Sequence, residues 1–397
     1  MTSNTRVQQQ KMLTSRQVNQ VSPSGIRKFF DLIASMEGVI SLGVGEPDYA
    51  TPWHIREAAI HSLEKGDTMY TSNLGMPELR QELARYLLDN YALKYDPNGE
   101  ILITVGVSEA LDLALRAILN PGDEVIIPDP CYVSYDACVI LAGGIPVMVP
   151  TSKETNFEIS PDDIEVRISD RTKAILIGYP ANPTGATMPR EKLKQIAALA
   201  KRYGLLVISD EIYGKISYGV EHTCFATLPG IKDKTILLSG FSKAYAMTGW
   251  RIGYACAPGE IIAAMTKIHQ YTMLCAPIMG QVAAIEALKS GDPSTAEMVS
   301  EYNRRRLRMV KGLNDIGLSC FEPKGAFYAF PSIKKTGMTS EEFAERLLVE
   351  EKVAVVPGSV FGKCGEGHVR CCYAVSLADI EKALSRMKRF LKRHRQA

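Results

Sequence analysis

Between residues 100 and 256 the chain repeats one pattern: a short apolar run, a longer amphipathic stretch, then another apolar run. The runs at 101–105, 125–127, 145–149, 174–178, 205–209, 236–238 and 252–255 read as strands. Residues 108–119 read as a helix stopped by Asn120-Pro121-Gly122, and 190–203 as a helix closed by Gly204. Strands and helices in alternation predict an α/β fold, with a mostly parallel central sheet covered by helices on both faces. Such sheets bind ligands at the carboxyl ends of their strands. Polar residues that directly follow an apolar run are therefore the first candidates for chemistry.

After about residue 285 the pattern changes. Long charged helical stretches at 298–316, 340–351 and 377–395 alternate with short strands at 326–330 and 368–373, as in a smaller α+β domain. A length of 397 residues also favours two domains. The division expected is 1–50 for an N-terminal arm and part of the small domain, 51–284 for the large domain, and 285–397 for the small C-terminal domain. A net charge of +2 gives no bulk attraction to nucleic acid or to an anionic membrane. The cations at the end, Lys388, Arg389, Lys392, Arg393 and Arg395, read as the wet face of a helix. Ile380, Leu384, Met387 and Leu391 supply its apolar stripe. The nine cysteines are odd in number and lack metal-type spacing. Cys371 and Cys372 are adjacent and on a strand would face opposite ways. This usage fits a reducing cytoplasm. No apolar run reaches the length of a membrane span. The first twenty residues contain Arg6, Lys11 and Arg16 and no acid, which fits a transit peptide or an N-terminal arm equally.

Four polar signals fall at strand ends: Asn182-Pro183-Thr184-Gly185, Asp210-Glu211-Ile212-Tyr213, Ser242-Lys243, and Thr248-Gly249-Trp250-Arg251-Ile252-Gly253. Taken singly, each reads as a turn, a helix cap or a surface lysine. Together they match the needs of a cofactor with an aldehyde, a pyridine ring, a phenolate and a phosphate. Lys243 offers the amine that forms an imine. Asp210 can pair with the ring nitrogen and keep it protonated, so that the ring accepts electrons from a carbanion. Asn182 and Tyr213 can donate to the phenolate. Arg251 offers a fork to the phosphate, and the Gly106-Val107-Ser108 turn opens a helix whose N-terminus attracts anions.

The stretch Gly240-Phe241-Ser242-Lys243-Ala244-Tyr245-Ala246-Met247-Thr248-Gly249-Trp250-Arg251-Ile252-Gly253 resembles the lysine signature of class I aminotransferases, the aspartate aminotransferase family of fold type I. The resemblance extends over nearly the whole chain, through Gly43-Val44-Gly45-Glu46-Pro47-Asp48, Tyr70, Asn182-Pro183-Thr184-Gly185, Ser209-Asp210-Glu211-Ile212-Tyr213 and Val369-Arg370. It implies pyridoxal 5'-phosphate as cofactor, carried as a Schiff base on Lys243. It further implies that Arg370 clamps the substrate α-carboxylate, that the Gly45 backbone lies against the substrate, and that Tyr132 stacks on the cofactor ring. Tyr70 resembles the tyrosine that reaches across a dimer interface to the neighbour's phosphate, so a homodimer with a composite site is implied. Some relatives carry serine three residues before the lysine, where this chain has Gly240; Ser242 or Ser239 could take that phosphate contact.

The activity implied is ping-pong transamination from an L-amino acid to a 2-oxo acid. Lys243 would anchor the cofactor and then shuttle the Cα proton, with Asp210 and Tyr213 supporting it. A C–S β-lyase, an aminocyclopropane-carboxylate-type synthase and a racemase would share Lys243, Asp210 and Arg370. A cofactor-binding transcriptional regulator is disfavoured because the region before the large domain is too short for a DNA-binding module. A dehydrogenase is disfavoured because no G-x-G-x-x-G follows an early strand. Aspartate or alanine with 2-oxoglutarate is the substrate pair expected, although no second carboxylate-reading cation is evident. Side-chain selection is expected to involve residues 24–27.

Overall fold

In the computed structural model, which describes residues 13–23, 25 and 36–394, the alternating region forms a seven-stranded sheet. Its strands are β1 (Ile101–Thr104), β2 (Glu124–Asp129), β3 (Ile145–Pro150), β4 (Thr172–Gly178), β5 (Leu206–Asp210), β6 (Thr235–Gly240) and β7 (Gly253–Cys256). They lie in the order β1-β7-β6-β5-β4-β2-β3. Strand β7 is antiparallel to both its neighbours, and the remaining pairs are parallel. All seven apolar runs are strands, most of them extended by one or two residues at their ends.

The runs lack polar alternation because both faces of the sheet are covered. On one face Leu102, Val125, Ile127, Leu176, Ile208 and Leu238 pack with helices α1 (Gly106–Ile118) and Gly259–Thr272. On the other, Ile101, Ile103 and Leu237 meet Ile278–Ser290 and its neighbours, while Ile126, Ile175 and Val207 meet α2 (Arg190–Arg202). Each fully buried aliphatic side chain of this kind contributes about 1.5–3 kcal/mol.

The remaining residues build a second core. Helices α3 (Asp292–Asp315), α4 (Ser340–Glu351) and α5 (Leu377–Arg393) surround the short strands β8 (Tyr328–Ala329), β9 (Val353–Ala354), β10 (Val356–Pro357) and β11 (Val369–Cys372). Strand β11 pairs antiparallel with β8 and with β10. The segment Ile40–Ser41 pairs in parallel with β9, and Leu42 is buried in this second core, with Val39 and Tyr49 packed against it. The expected break after residue 284 falls inside helix Ile278–Ser290, which packs on Trp53–Glu64 of the sheet layer. The chain leaves that layer at Gly291, and α3 begins at once with Asp292 and Pro293. Proline is suited to the first helical turn, which explains why α3 starts six residues before its first apolar repeat. Strand β8 is shorter than the expected 326–330 because Ala326 has φ +53°. Cys371 and Cys372 are both fully buried, on opposite faces of β11. On α5 the stripe Ile380, Leu384, Met387 and Leu391 is buried, and Arg389 and Arg393 pair with Glu351; Arg395 lies outside the described residues.

Residues 43–51 connect the two cores. Arg305 on α3 is buried and holds Asp48 with two bonds of 2.8 and 2.9 Å. Trp250 Nε1 donates to Thr51 Oγ1 at 2.9 Å, and Thr51 donates to the Ala246 carbonyl. The connection is thus fixed at both ends beside the strand-end loops. Of the N-terminal segment, Arg16–Gln20 forms one helical turn capped by Ser15, resting on helix Ser134–Leu141.

Candidate active site

A cavity of about 390 Å³ opens at the carboxyl ends of β4, β5 and β6. Asp210 ends β5, and Tyr213 follows in the next turn; both reach the cavity. Ser242, Lys243 and Arg251 enter from the loop between β6 and β7. Val107 and Ser108 come from the first turn of α1, and Tyr132 and Asn182 from the loops after β2 and β4. Gly45, from the connecting segment, and Arg370, on β11, close it from the second core. Residues that the sequence scatters over more than 300 positions therefore converge because strand ends and the junction of the two cores meet at one place.

Lys243 points its amine at the Gly45 carbonyl, 2.7 Å away. Burial lowers its pKa to about 8, and Arg370 and Arg251 push the same way against Cys372 and Glu46. The Asp210 carboxylate accepts the Tyr135 hydroxyl at 2.8 Å and the Ile212 N–H at 3.2 Å. Burial raises its pKa to about 6, although the Tyr135 bond opposes the rise. Tyr135 reaches Asp210 because β4 ends in Gly178, which pairs with Asp210 in register. A Cβ at Gly178 would stand 2.1 Å from the Tyr135 Oη.

Arg251 adopts φ +56°, and its Nη1 donates to the Thr248 carbonyl at 3.0 Å. Gly106 does not line the cavity but backs this guanidinium. With φ +74° and 2.3 Å between its missing Cβ and Arg251 Nη2, it admits no side chain. A Cβ at Gly253 would meet Val107 N at 2.5 Å, so the start of β7 is pressed on the first turn of α1. The close packing sets the uncapped first turn of α1, with its unpaired backbone N–H groups, beside a cation, the arrangement a phosphate requires. Gly240 has a local reason too: a Cβ there would lie 2.9 Å from the Gly253 Cα. Of the two serines that could replace the missing one, Ser242 lines the cavity, whereas Ser239 donates to the Glu211 carbonyl.

Arg370 is buried between the rings of Tyr328 and Phe361, at 4.5 and 4.9 Å. Its Nη1 donates to Asn182 Oδ1 at 2.8 Å and its Nη2 to the Gly43 carbonyl at 2.7 Å. Its buried Nε has no partner. A guanidinium held by neutral acceptors, with a spare donor, is matched to an incoming carboxylate. A buried aspartate, an amine of lowered pKa, a glycine-built anion cradle and this arginine together fit pyridoxal phosphate and an amino acid.

Tyr70 stands apart. It is 83% exposed, beside the exposed Met69, on a loop tied to the Leu274 carbonyl by Asn73. The sequence reading omitted Tyr135 and Tyr328, which no local motif marks; Gly178 and the alternation of strand ends were the available signals. Of residues 24–27, expected to take part in selecting side chains, all but Gly25 lie outside the described residues.

Comparison with known proteins agrees with this geometry. The family model "Aminotransferase class I and II" matches residues 37–387. A putative aminotransferase of Bacillus subtilis, YugH, is 58% identical over 94% of this chain and 97% of its own length. An aspartate aminotransferase of Pyrococcus abyssi is 47% identical over 96% of this chain and 99% of its own. The crystal structure of an aromatic aminotransferase from Pyrococcus horikoshii superposes with a TM-score of 0.88 at 44% identity, covering 93% of this chain and 99% of that one. These matches favour transamination over the lyase alternative. The chain belongs to the class I and II aminotransferases, with the fold type I architecture, and is a pyridoxal-phosphate-dependent transaminase.

Proposed function

We propose that the protein moves the amino group of an L-amino acid, aspartate, alanine or a similar one, to a 2-oxo acid such as 2-oxoglutarate, using the cavity residues in the following roles. When bound, pyridoxal phosphate supplies an electrophilic carbon for Lys243 and a ring that takes up electron density from the substrate's α-carbon. Lys243 would hold the cofactor through its amine, and that amine, once freed, would take the Cα proton on Nζ as general base. An amine with pKa near 8 is well placed to accept and return a proton near neutral pH. Asp210 keeps a proton on the ring nitrogen, oriented by Tyr135. Tyr213 and Asn182 donate to the phenolate, and Tyr132 lies on the ring. Arg251, Ser242 and the first turn of α1, Gly106, Val107 and Ser108, hold the phosphate. Arg370 takes the α-carboxylate, and the Gly45 backbone bounds the substrate.

The observation that carries this reading is the single cavity in which Lys243, Asp210, Arg251 and Arg370 meet. The exposure of the adjacent Met69 and Tyr70 supports a homodimer in which Tyr70 completes the neighbour's site. All nine cysteines are thiols, most of them buried, which supports a reducing, cytoplasmic setting. The matched proteins carry both aspartate and aromatic names, so the donor is assigned by measurement. Single amino acids are added to the holoenzyme without an acceptor. The lysine-bound absorbance is expected to give way to that of the amine form, with one equivalent of 2-oxo acid released. Release of ammonia with the absorbance unchanged would refute transamination and support a lyase.

A further inference from the structure

Tyr328 lines the cavity, is buried, and touches three of its functional groups. Its hydroxyl lies 2.7 Å from the Tyr213 hydroxyl. It also donates toward the Gly45 carbonyl at 3.4 Å, the same carbonyl that accepts the Lys243 amine. Its ring backs the Arg370 guanidinium at 4.5 Å. The approach to Gly45 tolerates no side chain there, since a Cβ would stand 2.5 Å from the Tyr328 Oη.

The proton count then matters. If Tyr328 donates to Gly45, Tyr213 must give its proton to Tyr328 and has none for the cavity. If Tyr328 donates to Tyr213, the Tyr213 proton is free to point into the cavity and the Gly45 carbonyl is left to Lys243. Burial pushes both phenols up, so each keeps its proton at neutral pH.

We propose that Tyr328 is a positioning residue acting through Tyr213: its hydroxyl turns the Tyr213 proton toward the cofactor's phenolate and leaves the Gly45 carbonyl to Lys243. The inference rests on the reading above, in which Tyr213 donates to the phenolate. The charged and titratable groups facing the pair are Arg370, Cys372, Tyr132 and Lys243, with Glu46 and Arg251 acting on Lys243, and Lys243 on Asp210.

The test is a pH titration of the lysine-bound absorbance in holoenzymes of wild type, Tyr328→Phe, Tyr213→Phe and the double variant. A donor to the phenolate favours the ionised form and lowers the pKa of the bound chromophore, so losing the donor raises it. Tyr328→Phe is expected to raise that pKa by about half a unit, Tyr213→Phe by more, and the double variant no further than Tyr213→Phe alone. KM for the amino donor should stay within about twofold in Tyr328→Phe, because the ring behind Arg370 remains. A Tyr328→Phe titration identical to wild type, or shifts that add in the double variant, would overturn the proposal. Absence of a titrating chromophore in wild type would overturn the functional reading and this inference with it, and is told apart by appearing before any substitution.

Discussion

Lys243→Ala is expected to lower kcat/KM for transamination by about 10⁴-fold or more, because anchor and proton carrier are lost together. Among the described residues Lys243 supplies the only amine at the cavity. Lys243→Arg restores charge without a nucleophilic amine and should be equally inactive. The wild-type amine also sets a pH dependence on cofactor uptake by the apoprotein. Imine formation needs the neutral amine, and burial lowers the Lys243 pKa to about 8. Uptake should therefore accelerate as pH rises toward 8 and level off above it, whereas an ordinary lysine would keep accelerating to about pH 10. Stopped-flow absorbance on apoprotein mixed with pyridoxal phosphate measures both.

Asp210→Asn should act in opposite directions on activity and on apoprotein stability. Activity is expected to fall about 10³-fold, the cost of removing one preorganised charge from the reacting group. Stability of the apoprotein is expected to rise. Burial raises the Asp210 pKa to about 6, above the value of an unfolded aspartate, so the folded state holds the extra proton between about pH 4 and 6. Folding stability then falls as pH rises through that window, and at neutral pH the ionised carboxylate costs the fold about 2–3 kcal/mol. Asparagine accepts the same Tyr135 hydroxyl without that cost, and the gain is reduced only by the Ile212 N–H, which then faces the amide nitrogen instead of an acceptor. Denaturant melts of the two apoproteins should differ at pH 7 and converge below about pH 4. A variant less stable than wild type at pH 7 would show that Tyr135 and Asp210 are coupled differently from the hydrogen bond described.

The fold was legible where burial is two-sided. Each strand from Ile101–Thr104 to Gly253–Cys256 carries a continuous apolar stretch because helices cover both faces of the sheet. The small domain was less legible, since β8 to β11 are two to four residues long and a left-handed Ala326 truncates the first. The division expected near residue 284 falls within Ile278–Ser290, a helix apolar on most sides that carries no break until Gly291. In the site, residues at strand ends stood out, because a polar group after an apolar run has few structural uses. Tyr135 and Tyr328 did not, since each acts through a contact made possible by a glycine far away in sequence, Gly178 for one and Gly45 for the other. Tyr70 is placed on the surface, apart from the cavity.

The central claim, that Lys243 holds the cofactor in this cavity, is tested most directly by reducing the holoenzyme with borohydride and mapping the labelled peptide. The account predicts a phosphopyridoxyl group on Lys243, in the tryptic peptide Thr235–Arg251 that forms because cleavage at the modified lysine is blocked. A label on any other lysine, with Lys243 recovered unmodified, would contradict it.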